Sequence, residues 1–206
     1  MVLLHGLKRP IILASASPRR SQILSMMGVG FGVAGSGVAD EDVYIDLNDL
    51  DTSLRRLAEA KAESASLKRP EALVLGADTI VVIDGNGVLG KPAGKSDAAR
   101  MLRALSGRSH TVVTAVALRC AEVGFCVSTA VHTVVFFREL GNEEIEHYLS
   151  FPEYEDKAGS YAVQGGGMTF IDRIEGCYYN VMGLPVTATL GLLKEFIRKE
   201  SLHGGE

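Results

Sequence analysis

Cysteine is scarce in this chain of 206 residues: Cys120, Cys126 and Cys177 are the three present. They form no CxxC pair and cannot all be bridged to one another, which fits buried free thiols in a reducing compartment better than a secreted disulfide framework. Long apolar runs are missing as well. Nowhere do about eighteen apolar residues follow one another, so no membrane span is expected. The apolar run at the N-terminus is too short for a signal sequence, and Lys8 and Arg9 lie on the wrong side of it. A cytoplasmic protein is the expectation. Positive charge is not in excess either. A net charge of −4 argues against sequence-independent binding to DNA or RNA, which needs a broad basic face, while leaving room for an isolated basic pocket. His110, His132 and His147 have no metal-ligand spacing, which speaks against zinc, and no Gly-x-Ser-x-Gly nucleophile elbow occurs.

What is present is the composition of a soluble globular protein, 47% hydrophobic and 22% charged. The length suffices for one well-filled domain or two small ones sharing a cleft. Ile11 to Leu13 reads as a buried strand. It is followed by Ala-Ser-Ala-Ser-Pro-Arg-Arg and then by Ile23, Leu24 and Met27 at helical spacing. Ser17 suits the helix N-cap and Pro18 its first position. Arg19 and Arg20 then fall in the first turn, against the helix dipole by roughly 0.3–1 kcal/mol. Strand, serine-rich turn, helix start and paired arginines describe an anion site. They equally describe a capped helix whose arginines face solvent, and this stretch alone leaves both open.

Gly28 to Gly37 is glycine-rich and leads to Asp40-Glu41-Asp42 and a charged loop to about Asp51. A helix is expected over 52–67, with Lys61 near its buried edge. A short apolar strand, 72–75, ends at Gly76-Ala-Asp78-Thr79, and 80–83 resumes as strand. Asp84-Gly-Asn-Gly signals a hairpin turn with its return at Val88-Leu89. A helix over 97–105 is stopped by Gly107. The β-branched runs 110–120 and 125–137 form an antiparallel hairpin. A helix over 142–149, a strand over 168–174 and a terminal helix over 186–200 complete an α/β chain with a mixed sheet and flanking helices. Two motifs are decoys. Gly30-Phe-Gly-Val-Ala-Gly35 matches GxGxxG but has a helix before it and an acidic loop after, the wrong context for a dinucleotide. Gly90-Lys-Pro-Ala-Gly-Lys-Ser96 is one residue short of a P-loop, and Pro92 removes an amide that should cradle phosphate.

The residues with chemistry to offer are acidic and basic. Asp78, where strand gives way to turn, is placed to bind metal or activate water. A turn aspartate satisfied by nearby amides is the plainer reading. Glu41 could supply a second carboxylate or belong to a solvated loop. Lys61, Lys91 and Lys157 each lie near a glycine or an element edge, and each alone reads most simply as a surface lysine. Gln164, before three glycines, is an amide on a backbone of unusual freedom, suited to reading a base edge. Together the set makes sense for a polyphosphate substrate: cations for phosphates, carboxylates for a divalent cation and a water, an amide for a base.

Taken in order, Leu13-Ala-Ser-Ala-Ser-Pro-Arg-Arg20, Asp40-Glu41, Leu57-Ala-Glu-Ala-Lys61, Gly76-Ala-Asp-Thr79, Gly90-Lys-Pro92, Leu105-Ser-Gly107, Asp156-Lys-Ala-Gly159, Gln164-Gly165 and Tyr179-Asn-Val-Met-Gly-Leu-Pro185 span nearly the whole chain. The series closely resembles the Maf family of nucleoside triphosphate pyrophosphatases. That resemblance implies a fold similar to the inosine triphosphate pyrophosphatases, one domain over 1–206 with two lobes around a central cleft, and a homodimer. It implies hydrolysis of a nucleoside triphosphate to monophosphate and pyrophosphate in a house-cleaning role, with a divalent cation such as Mg2+ or Mn2+. It assigns Asp78 as general base, and Asp78 with Glu41 as metal ligands. Ser15, Arg20, Lys61 and Lys91 become phosphate or metal contacts. Arg19, Thr79 and Gln164 set base preference and agree with the branch acting on dTTP and UTP rather than the one preferring 7-methyl-GTP. A non-catalytic nucleotide-binding regulator of septum formation is the alternative from another class. The segment 42–51 departs from the family pattern.

Overall fold

In the computed structural model, residues 4, 6–38, 45–83 and 87–203 are described. Among the described residues seven strands form one sheet, in the order β2-β1-β3-β5-β6-β7 with β4 on β3 off that path. The strands are β1 (Ile11–Ala14), β2 (Phe31–Ala34), β3 (Leu73–Ile83), β4 (Gly87–Leu89), β5 (Ser109–Cys120), β6 (Phe125–Phe137) and β7 (Ile171–Glu175). The helices are α1 (Pro18–Met26), α2 (Leu50–Ser66), α3 (Lys95–Leu105), α4 (Asn142–Tyr148), α5 (Tyr178–Val181) and α6 (Val186–His203). β1 is parallel to β2 and β3, whereas β4 is antiparallel to β3 and β7 to β6, so the sheet is mixed as expected. β5 and β6 are hydrogen-bonded neighbours joined by four residues, a connection only antiparallel strands allow. No helix among the described residues is long and apolar enough to cross a membrane.

The chain divides into two compact units. The first comprises residues 1–78, 114–131 and 183–206. Its core draws on Leu13, Ile23, Leu24, Leu54, Leu57, Leu75, Leu118 and Phe196, all fully buried. The apolar face of α2 explains that helix: Leu54, Leu57, Ala58, Ala62 and Ala65 recur at three- and four-residue spacing and all are buried. Asp49 caps it by accepting from the Thr52 amide at 3.3 Å, so the helix begins at Leu50, two residues ahead of the expected start. The second unit comprises 79–113 and 132–182. Its core gathers Val81, Met101, Leu102, Leu105, Val135, Phe137, Ile145, Tyr161 and Phe170. Within it Asn180, fully buried, donates to the Val112 carbonyl at 2.9 Å and the Thr133 hydroxyl at 3.0 Å. That pair of bonds ties α5 to β5 and β6.

Four expectations change. Phe31–Ala34, inside the glycine-rich stretch, is a strand at the sheet edge, since exposed glycines there leave the backbone free to pair with β1. The strand expected over 168–174 begins later: residues 166–170 form a 3₁₀ turn and β7 starts at Ile171. And β3 is one unbroken strand of 11 residues, so Asp78 lies within it instead of at its end. Of the thiols, all free, only Cys120 is buried; Cys126 is exposed and Cys177 lies between.

Candidate active site

β3 is unbroken at Gly76-Ala77 because glycine is what the packing there admits. A Cβ at Gly76 would lie 2.8 Å from the Ala62 nitrogen and closer still to the Ala58 carbonyl oxygen. The bare backbone of β3 therefore seats directly under α2. One residue before Ala62 on that helix, Lys61 is 5% exposed. Its Nζ stands 2.7 Å from Asp78 Oδ1, and the two side chains are 6% and 13% exposed. Removal of both charges from water is tolerated here because they are paired at hydrogen-bond distance. Lys61 is thus far from the surface lysine that its sequence alone suggested. Asp78 has one oxygen fixed on the ammonium, which orients the other.

The loop after β1 lies near this pair. β1 and β3 are parallel with Leu13 opposite Leu75, so the turn that follows β1 and the Gly76–Thr79 part of β3 leave that pairing at the same end. Ser15 is buried, and its Oγ accepts from Arg20 Nη1 at 2.9 Å and from the Ser17 amide at 3.2 Å. Its own proton is what it has left to give to an anion. Arg20, also buried, donates through Nε to the Gly183 carbonyl at 2.8 Å. The reading of a helix start with its arginines in solvent is corrected for Arg20, which is folded inward. Arg19 is half-buried. Ser17 occupies the N-cap, but its hydroxyl makes no cap bond; the serine that organises this turn is Ser15.

In the second unit, Thr79 follows Asp78 along β3 and is partly exposed, while Lys91 and Gln164 are exposed on loops. Gly90, beside Lys91, accepts at its carbonyl from the Gly159 amide at 3.1 Å, which fastens the Gly-Lys-Pro loop to the Asp156–Gly159 segment. The glycines after Gln164 are not there for conformational freedom. None of them has positive φ, and Gly165 is extended at φ −159°. Each instead has a neighbour where a side chain would go: Glu153 at Gly165, Tyr148 at Gly166, the Ala162 backbone at Gly167. Glu153 and the Gly183 carbonyl are partners that sequence reading missed. The first contact spans 13 residues and the second 163, and neither leaves a local signal. Glu41 lies outside the described residues. Among the described residues no group of three or more His, Cys, Asp or Glu gathers as a metal cluster.

Residues 10–196 match the family model described as Maf-like protein. The chain belongs to the Maf family. This member is 46% identical over 189 residues to a protein of Desulforamulus reducens named dTTP/UTP pyrophosphatase, covering 91% of this chain and 97% of that one. Proteins of the same name from Symbiobacterium thermophilum and Aquifex aeolicus are 45% and 44% identical, each covering 90% of this chain and 93% and 94% of their own lengths. Among solved structures, a HAM1 protein from Coxiella burnetii aligns with 61% of this chain and 70% of its own, at 16% identity and a TM-score of 0.40.

Proposed function

We propose that this chain hydrolyses dTTP and UTP to the nucleoside monophosphate and pyrophosphate. The relatives' shared name supports the substrate class. The observation that carries the chemistry is the paired Lys61 and Asp78, on the strand β3 that runs parallel to β1, whose following turn holds Ser15 and Arg20. Asp78, held rigidly by a strand and oriented by Lys61, takes a proton from water. The water oxygen bonds to the α-phosphorus, the bond from that phosphorus to the bridging oxygen breaks, and pyrophosphate departs with the electron pair. Lys61, Arg20 and Lys91 supply fixed positive charge for the phosphates, and the Ser15 hydroxyl donates to a phosphate oxygen. Arg19, Thr79 and Gln164 select the base.

A divalent cation, Mg2+ or Mn2+, fits this donor set. Asp78 has a second carboxylate oxygen beyond the one on Lys61, and magnesium takes one or two carboxylates and completes its shell with phosphate oxygens and water. Asp78 and Glu41 would hold it, and when bound it supplies neutralisation of phosphate charge. The family resemblance also supports a cytoplasmic homodimer, which light scattering at the working concentration tests.

The deciding experiment is a substrate panel of dTTP, UTP, CTP and 7-methyl-GTP, reading pyrophosphate as inorganic phosphate through a coupling enzyme. Turnover of dTTP and UTP ahead of the others is expected. Asp78→Asn should keep nucleotide binding and lose roughly 10²–10⁴-fold in kcat. Near-normal pyrophosphate release by that variant would remove Asp78 from the role of base.

A further inference from the structure

The loop that carries Gln164 is held from one side by a single carboxylate. Glu153 Oε2 accepts from the Gly166 amide at 2.9 Å, and Oε1 accepts from the Gly167 amide at 3.2 Å and from the Tyr148 hydroxyl at 3.2 Å. The contact is close: a Cβ on Gly165 would stand 2.5 Å from Glu153 Oε1, so any side chain there would displace the carboxylate. Glu153 therefore closes off the first two amides of the 3₁₀ turn Gly166–Phe170, a task helix starts usually give to a nearer residue. The carboxylate is itself located. The Tyr148 ring is buried and packs edge-on against Phe170, at the far end of the same turn, with centroids 4.9 Å apart. Near that end, within the turn, Arg138 Nε donates to the Thr169 carbonyl at 2.7 Å. Gln164 is thus the exposed residue at the head of a short segment fastened along its length.

We infer that Glu153 is a positioning residue for base selection, acting through the Gln164 loop. The inference rests on the proposed reading of Gln164 as a base contact. An exposed amide discriminates between base edges only if its backbone stays within about half an ångström of one place, and its own side chain, in solvent, cannot fix that place. The bidentate carboxylate does. Charge matters as well as shape, because a carboxylate presents acceptors to both glycine amides while a glutamine presents one acceptor and one donor. Glu153 touches neither phosphate nor water in this scheme, so its loss weakens ground state and transition state alike and appears in KM.

The test compares wild type, Glu153→Gln, Tyr148→Phe, Gln164→Ala and the double variant Glu153→Gln/Gln164→Ala, with kcat and KM for dTTP, UTP and CTP. Glu153→Gln is expected to raise KM for dTTP about tenfold, with kcat within about twofold, and to narrow the preference for dTTP over CTP. Tyr148→Phe removes one bond to the carboxylate and keeps the ring, so it should raise KM about two- to threefold in the same direction. In the Gln164→Ala background the Glu153 substitution should add almost nothing, because residues acting as one unit are not additive. An equal loss of kcat on every nucleotide, or the same fold-change with and without Gln164, overturns the inference and leaves Glu153 as scaffold only. Should Glu153→Gln fail to fold, Tyr148→Phe decides: wild-type KM and selectivity in that variant also overturn it. Wild-type protein inactive on dTTP and UTP would instead sink the substrate reading, an outcome independent of any Glu153 variant.

Discussion

Gly76→Ala adds one methyl group and should damage both stability and turnover. The new Cβ would meet the Ala62 nitrogen at 2.8 Å and the Ala58 carbonyl oxygen closer still. Ordinary contact is about 3.5 Å, so α2 must back away from β3 by roughly an ångström. The obstructing atoms are backbone, which cannot rotate aside as a side chain tip could. Overpacking of this kind costs about 1–3 kcal/mol, and backbone obstruction places this case at the upper end. For a chain of this size each kcal/mol moves Tm by roughly 2–4 °C, giving a fall of roughly 6–12 °C. The displaced helix carries Lys61, whose Nζ reaches Asp78 at 2.7 Å, so the pair opens with it. Misplacement by an ångström at a reacting centre costs on the order of 10²-fold in rate. Thermal unfolding and pyrophosphate release at a temperature where both proteins are folded read the two effects separately. Gly191→Ala is the control: that glycine lies exposed in α6 with nothing within 4 Å, and alanine there should stabilise by roughly 0.5–1 kcal/mol. If Gly76→Ala melts within about 2 °C of wild type and keeps at least half its activity, close seating of α2 on β3 is not what holds the pair.

Lys61→Met leaves the nearly buried Asp78 carboxylate without that ammonium and should cost up to ~3–5 kcal/mol, measured by urea unfolding. Adding Asp78→Asn should recover part of the loss, with a coupling of roughly 0.5–3 kcal/mol; strictly additive losses would mean that the pair is not coupled in solution. His110 supplies the acid response of the second unit. Burial pushes its pKa down to about 4, its Nε2 is 2.7 Å from the Tyr161 hydroxyl, and among the described residues its Nδ1 has no hydrogen-bond partner. A histidine whose folded pKa is depressed contributes stability that is fully present above its unfolded value, near 6.5, and is lost as pH falls toward 4. The urea midpoint should therefore drop between pH 7 and 4.5, by up to about 3 kcal/mol in stability, and His110→Gln should flatten that slope. An unchanged slope in the variant would assign the acid response to other groups.

How much of the site could be read from the sequence depends on how local its causes are. The start of α1 at Pro18, the inward face of α2 and the β4 return follow from patterns a few residues long, and those elements form where expected. The carboxylate and cations are legible as chemistry, and spacing alone puts Lys61 near the buried edge of its helix. Its partner was not legible. Nothing in the spacing of Lys61 and Asp78 states that they touch, since the contact depends on which strand α2 covers and how closely. Asp78 was expected at a strand end because glycine so often marks a turn; here Gly76 marks a close approach between helix and strand instead. Gly165–Gly167 are alike in this: a glycine run suggests backbone freedom, and the fold uses it for close contact.

The sequence by itself determined which residue types are available, their order, and the family to which they belong. It also determined the local periodicity that makes strands and helices, because burial and capping are decided within a turn or two of the chain. Tertiary structure alone decided the pairings that give those residues their roles: Lys61 on Asp78, Arg20 on the Gly183 carbonyl and Ser15, Glu153 on the Gln164 loop. These are hydrogen bonds between groups 5 to 163 residues apart, fixed by register and packing distance, and no local pattern encodes a distance in space.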